Sequence, residues 1–392
     1  MPTADVSSPV SSQALRADNG IPRTDAWLWH GRVPSLDGLR AVSILGVLVC
    51  HAAWEYPNKF PGPSWTIAVE GTIGVDVFFI ISGFLITLLM LRERDRMGSI
   101  SLKSFYERRI FRIVPAYLAF CLTIFLLTQW SAAPFPLRKW VAPLIYMTDF
   151  YPSTTPWILA HTWSLSVEEH FYLVWPVLMY FAPRKAPWAA LGCIASAPLI
   201  RFLASHFHAH WIDLEHCTLT RWDSIAMGCW LAFAMTRGWT DFLRPIVGRS
   251  LVLFVITVFA ILALNLFAIP APGTRWGIVY SNVVRQTVTD LCLAFVVWMT
   301  LEYSGGLVGR LLNSSPFVMV GWLSYSLYLW QQVFFIPRQF MSINRWPINL
   351  ILIPIPAVLS YLLIERPFLG FRARLERKRL GEAPLAAAPA AA

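Results

Sequence analysis

The chain has 392 residues, 56% of them hydrophobic and only 14% charged, and its mean hydropathy is +0.54. That balance lies outside the range of ordinary soluble domains and predicts a polytopic membrane protein. A formal net charge of +10 does not make nucleic acid a partner, because the basic residues sit in short loops between apolar runs and no DNA- or RNA-binding motif is present; the pattern is that of a membrane protein with anionic lipid or an anionic cofactor on one side.

Residues 1–33 form a polar arm, expected to be flexible and without the apolar core of a signal peptide. The first apolar run, near 38–55, carries Arg40 and His51. Eleven residues at about 100° each return to within roughly 20° of the start, so both side chains share one helix face, and at about 1.5 Å per residue they stand roughly 16 Å apart along the axis. Ionisable groups at membrane depth are costly and mark function by default. Further apolar runs fall near 71–91, 112–130, 164–182, 187–203, 221–236, 249–268, 284–303, 316–336 and 347–365, with a shorter one at 141–151. Ten spans with both termini cytoplasmic put 22 Lys and Arg in the inner segments and 6 in the outer ones, a strong positive-inside bias. Making 141–151 an eleventh span would reverse every later loop, so it is read as interfacial or re-entrant. Arg40, Arg201, Arg221 and Arg285 remain inside spans, with Asp76, Glu168, Glu169, Asp223 and Asp290, and these groups predict a polar central cavity. The expected fold is therefore all-α, about ten transmembrane helices around that cavity.

Several blocks along the chain carry polar chemistry. Gly74–Phe84 (Gly-Val-Asp-Val-Phe-Phe-Ile-Ile-Ser-Gly-Phe) places small residues where helices pack closely, with Asp76 and Ser82 as candidates to line the cavity. Arg108, Arg109 and Arg112 are helical neighbours at the inner mouth of a span, ahead of Pro115, which is expected to kink the helix. Guanidiniums bind phosphate oxygens in a bidentate way, so the three form a phosphate clamp; a lipid-binding anchor is the equally weighted plain reading. In His161–Tyr172, Ser164 reads as an N-cap and Glu168 and Glu169 as carboxylates of the opening turns, although a carboxylate here would also orient an imidazole across the cavity. His206, His208, His210 and His216 read as a solvated loop rather than a metal site, and no metal is expected. The six Cys include no Cys-x-x-Cys pair and read as buried thiols. Arg221 and Asp223 read as a local ion pair, Tyr325, Tyr328 and Trp330 set hydroxyls and an indole along one span, and Glu365-Arg366-Pro367 ends the last span. Residues 369–392, basic and then Ala/Pro-rich, are expected to be a disordered tail.

In this order, Ser35-Leu-Asp-Gly-Leu-Arg40 with His51, Gly74–Phe84, Arg108-Arg-x-x-Arg112-Ile-x-Pro115-x-Tyr117, Trp163-Ser-Leu-Ser-Val-Glu168-Glu-x-Phe171-Tyr172, Ser324–Trp330 and Glu365-Arg-Pro367 resemble the integral-membrane acyltransferase family 3. The resemblance covers about 34–368 and implies a membrane acyltransferase domain over that range, with acyl-CoA (acetyl-CoA by family habit) as a cytoplasmic co-substrate and no permanently bound cofactor. It also implies Arg40 and His51 as essential residues, and a hydroxylated acceptor: a sugar, a surface glycan or a small natural product such as a macrolide. Two positions depart from the family pattern: His170 stands where Gln is usual, and Gln331 where His is usual, which leaves His51 as the candidate base. No fused soluble domain is expected, so acceptor handling falls to the membrane domain or to partners.

The expected roles follow. Arg108, Arg109 and Arg112 bind the phosphates of CoA, Arg40 contacts the pantetheine or thioester, and His51 accepts the acceptor hydroxyl's proton. Glu168 holds the His51 tautomer or stabilises its imidazolium, and Trp163 and Tyr328 are candidates to line the cavity beside the thioester carbonyl. An acyl-histidine intermediate is the variant route. The expected location is a bacterial inner membrane. The competing class, a transporter or flippase of a glycan or lipid intermediate, predicts two related halves with broken helices, and no such symmetry is visible.

Overall fold

The computed structural model describes residues 26–29, 31–129, 135–207, 209, 212–247, 251–266, 274, 277, 279–336 and 344–380. Every regular element among these residues is helical, which is what a chain must do to satisfy its own backbone polar groups in lipid. In chain order they are α1 (Leu36–Glu55), α2 (Pro63–Val69), α3 (Ile73–Met97), α4 (Leu102–Gln129), α5 (Arg138–Leu144), α6 (Trp157–Ala160), α7 (Thr162–Phe181), α8 (Ala186–His206), α9 (Thr218–Thr236), α10 (Leu243–Val247), α11 (Leu251–Leu266), α12 (Gln286–Glu302), α13 (Leu307–Leu312), α14 (Ser315–Gln331), α15 (Ile348–Leu352), α16 (Pro354–Ser360) and α17 (Arg366–Leu380).

All ten apolar runs fold as helix where they are described, but among the described residues six helical stretches are long and apolar enough to cross a bilayer: 36–55, 63–97, 102–129, 186–206, 283–302 and 348–377. The shortfall against ten has a physical pattern. Helices α7 and α9 have the length but carry Glu168, Glu169, Arg221 and Asp223, while α11 has 16 residues and α14 has 17. The run at 141–151 is met by the seven-residue α5, far too short to span about 30 Å of hydrocarbon. Helix α4 continues through Pro115. The basic part of the expected tail is helical, as α17 runs to Leu380. His208, His210 and the tail from 381 onward lie outside the described residues, as does the arm up to residue 25.

Outward-facing Leu118, Leu122 and Leu126 on α4 recur at helical spacing, and Val252, Val255, Ile256 and Phe259 do the same on α11. Exposed apolar stripes of this kind suit a lipid-facing surface. Inward, α3 is the central helix, packed against α1, α7, α9 and α12. One apolar cluster joins Ile44, Phe79, Phe120, Leu165 and Leu329, and a second joins Leu28, Ile81, Phe84, Leu231 and Trp298. The end of the N-terminal arm belongs to the second cluster. Arg92 on α3 donates to the carbonyls of Trp27, Leu28 and Gly31, and Arg96 donates to that of Trp29, so residues 27–31 are held against the bundle.

The α3–α9 crossing depends on two glycines. A Cβ on Gly83 would lie 1.9 Å from the carbonyl oxygen of Ile225, and one on Gly228 would lie 1.9 Å from that of Ile80. Each backbone fills the place of the other's side chain, as small residues allow at close helix crossings. Gly83→Ala is expected to lower stability by about 1–3 kcal/mol, because the two backbones must separate. Gly192→Ala on α8, where a Cβ meets nothing within 4 Å, is the control. Thermal unfolding of the purified proteins should show a loss for the first substitution and none for the second.

Candidate active site

Helices α1, α3, α4, α7 and α14, with the end of the π-helical turn Tyr361–Glu365, line a partly open pocket. Arg40, Arg109 and Arg112 line it together with Glu365 and Trp322. Arg40, Arg109, Arg112 and Trp322 lie in the N-terminal halves of α1, α4 and α14. The pocket then extends past Ser82, Glu168 and Tyr172 to Ser164 and Tyr328.

The polar groups within it are tied to one another. Ser82 donates to Glu168 Oε1 at 2.7 Å, and the Tyr172 hydroxyl donates to Oε2 at 3.2 Å. The Arg109 guanidinium stacks on the Tyr172 ring at 4.3 Å, so one aromatic ring connects the basic mouth to the carboxylate. Ser326 donates to Glu365, which fixes the acidic group facing the arginines. At the other end, Ser164 Oγ and the Tyr328 hydroxyl are 2.6 Å apart, and Tyr328 also donates to the His161 carbonyl at 2.9 Å. Ser164 is thus an interior residue of α7, which begins at Thr162, and not its N-cap.

Of the residues singled out from the sequence, Arg40, Arg109, Arg112, Ser82, Glu168 and Tyr328 meet in this pocket, brought there from five helices. Four others lie elsewhere. Arg108 turns away to Glu93 at 2.8 Å and Ser104 at 2.9 Å; consecutive residues on a helix point about 100° apart, so Arg108 and Arg109 cannot share one ligand face. Asp76 pairs with Arg221 on α9. Trp163 lies against Phe79, His216 and the Arg221 guanidinium, behind the pocket wall. His51 does not line the pocket. It lies near the far end of α1, with its Nδ1 3.1 Å from Gln331 Oε1 and its ring against Trp54, Trp157 and Phe335. Glu168 spends its hydrogen bonds on Ser82 and Tyr172, not on His51.

Arg201, Arg221, Asp76, Asp223 and Asp290 form a separate buried cluster between α3, α8, α9 and α12. Arg201 pairs with Asp223 at 2.7 Å and also donates to Thr287 and the Thr220 carbonyl. Asp290 accepts from Ser224 at 2.9 Å. Arg221 and Asp223, expected to pair locally, each take a partner on another helix. Among the described residues no group of three or more His, Cys, Asp or Glu could hold a metal ion.

A family model for an acyltransferase domain matches residues 33–365. The chain belongs to the acyltransferase 3 family. Like the pocket, the match runs through both halves of the bundle, and the family's acyltransferases are integral membrane proteins, in keeping with the apolar helices. The chain is 28% identical over 372 residues to the O-acetyltransferase OatA of Staphylococcus aureus strain NCTC 8325, across 87% of this chain and 58% of the relative. OatA of strain MRSA252 matches with the same identity and coverage. The chain thus spans somewhat over half the length of the curated relatives it matches. No solved structure matches it. Nothing in these comparisons supports the transporter alternative.

The signals for residues that the sequence left without a role were present but weak. Glu365 lay in the Glu-Arg-Pro block and was read as a span end, yet its side chain enters the pocket. Gln331 stood out as a departure from the family pattern, and it contacts His51.

Proposed function

We propose that the protein is a membrane O-acyltransferase that moves an acyl group, acetyl by family habit, from cytoplasmic acyl-CoA to a hydroxyl of a sugar, glycan or small natural product, in a bacterial inner membrane. The observation that carries this reading is the convergence of Arg40, Arg109 and Arg112 on one mouth of a polar pocket inside an acyltransferase-family bundle. A nucleotide with several phosphates suits three guanidiniums, and an elongated pocket suits the pantetheine arm. The relatives' names as O-acetyltransferases favour a hydroxyl acceptor.

In the proposed reaction the acceptor hydroxyl gives its proton to His51 as its oxygen bonds to the thioester carbonyl carbon. The tetrahedral intermediate then collapses with cleavage of the C–S bond, and the departing CoA thiolate takes up the proton held by His51, which returns the ring to its neutral form. The products are the ester and CoA thiol. The thioester reaches His51 at the Ser164–Tyr328 end of the pocket, so transfer requires that end to open. Glu168, held by Ser82 and Tyr172, shapes the middle of the channel.

The test is a kinetic split. Purified protein in lipid nanodiscs is given acetyl-CoA, and thiol release is followed with and without acceptor sugars. Arg112→Ala is expected to raise the KM for acetyl-CoA about tenfold or more, with a smaller change in kcat, as loss of a contact made equally in ground and transition states does. A lower kcat at unchanged KM argues against docking by the arginines. Absence of any acetyl-CoA turnover in the wild-type protein, across an acceptor panel, sinks the reading.

A further inference from the structure

We infer that Gln331 is the positioning residue that sets the tautomer of His51, an inference that rests on the proposed role of His51 as base. The His51 Nδ1 atom lies 3.1 Å from the side-chain oxygen of Gln331. An amide oxygen can only accept a hydrogen bond. The hydrogen of this contact therefore sits on Nδ1, and the neutral ring keeps its lone pair on Nε2, the nitrogen left to take a proton from an acceptor hydroxyl. The other tautomer would set two lone pairs against each other.

The surroundings of the ring support the assignment. Trp54, Trp157 and Phe335 stand against His51 at ring separations of 5.3, 6.1 and 5.9 Å. The Trp157 Nε1–H is already donated to the Phe335 carbonyl at 3.0 Å. Glu168, the orienting group expected from the sequence, is bound to Ser82 and Tyr172. His161 packs its ring against Phe120 and Tyr328.

Gln331 also carries a cost that its contact with His51 explains. The residue is fully buried at the end of α14, which packs along α1, and its Nε2 has no hydrogen-bond partner. Burying an unpaired amide N–H is unfavourable, and a leucine or methionine would fill the space without that penalty. The oxygen of the same amide is engaged with His51, so the side chain is retained for its acceptor. Where the family usually places a histidine, this chain has a group that cannot take a proton and serves the ring as an acceptor only.

The test uses the full-length chain in lipid nanodiscs. Diethyl pyrocarbonate labelling of the His51 peptide is quantified by mass spectrometry from pH 5 to 9, alongside kcat and KM for thiol release from acetyl-CoA without added acceptor. Gln331→Leu is expected to lower kcat about ten- to a hundredfold, part of the 10²–10⁴ that a positioned base contributes, with the KM for acetyl-CoA unchanged. Gln331→Glu keeps an accepting oxygen and adds a negative charge, so the acid limb of both the labelling and the rate profile should move up by about one pH unit or more. A merely structural side chain would not move that limb. Full-rate turnover by Gln331→Leu, or an unmoved labelling profile in Gln331→Glu, overturns the inference, and the labelling readout holds even where turnover is lost. His51→Ala separates the two claims: retained turnover sinks the base and the inference together, whereas an inactive His51→Ala beside a fully active Gln331→Leu sinks the inference alone.

Discussion

Replacing His51 with alanine is expected to lower the turnover of acyl transfer by about 10²–10⁴-fold, the contribution of a positioned general base. The ring is set apart from the pocket that carries the arginines, so its removal leaves Arg40, Arg109, Arg112 and the Ser82–Glu168–Tyr172 chain untouched. The KM for acetyl-CoA should therefore stay near its wild-type value while kcat falls. Initial rates of thiol release, with the acetylated product followed by mass spectrometry, measure both quantities. Added imidazole should restore part of the rate by filling the space the ring vacates, and should not do so in Arg112→Ala. Wild-type kcat in His51→Ala would remove the imidazole from the chemistry.

Asp223→Ala is expected to cost about 3–5 kcal/mol of stability, because it leaves a guanidinium buried without its counter-charge. Asp223 and Arg201 are 0% and 1% exposed at their side chains, which leaves water no route to replace the lost partner. The remaining bonds of Arg201, to Thr287 and the Thr220 carbonyl, satisfy hydrogens but supply no opposite charge. The double substitution Arg201→Met with Asp223→Leu should recover most of the loss, since exchanging a buried pair for apolar residues of similar volume is often near neutral. Thermal unfolding in detergent checks both. A single Asp223→Ala protein as stable as the wild type would show that the pair is not isolated from solvent.

The sequence made the helices legible and left their partnerships hidden. The apolar runs fell on helices, six stretches of which are long and apolar enough among the described residues to cross a bilayer, and the blocks around Arg40, Ser82, Arg109, Arg112, Glu168 and Tyr328 led to residues that meet in one pocket. Local spacing failed wherever a charge had to choose a partner across helices. Arg221 and Asp223 are two residues apart, so on a helix they point to nearly opposite sides and cannot meet; one finds Asp76, 145 residues away, and the other Arg201. The three-arginine block was one ligand surface in the sequence and two in the fold, since Arg108 pairs with Glu93. The eleven-residue spacing was read as one shared face for Arg40 and His51, but Arg40 lines the pocket and His51 does not, and nothing in that spacing said that the pocket would stop at Tyr328. Gln331 could not be matched to His51 because the two lie 280 positions apart.

The paired glycines at Gly83 and Gly228 have a mechanical consequence. Two backbones seated in each other's vacancies have no room to slide or roll without collision, so α3 and α9 travel as one body. Ser82, which grips Glu168, is next to that seat and belongs to the stationary jaw. The opposite wall, α14, carries Ser324, Tyr325 and Tyr328 and is seated on α1 in the same way, a Cβ on Gly321 lying 2.0 Å from the carbonyl oxygen of Asp37, so passage of a thioester past Ser164 and Tyr328 falls to side-chain rotation rather than to sliding of helices.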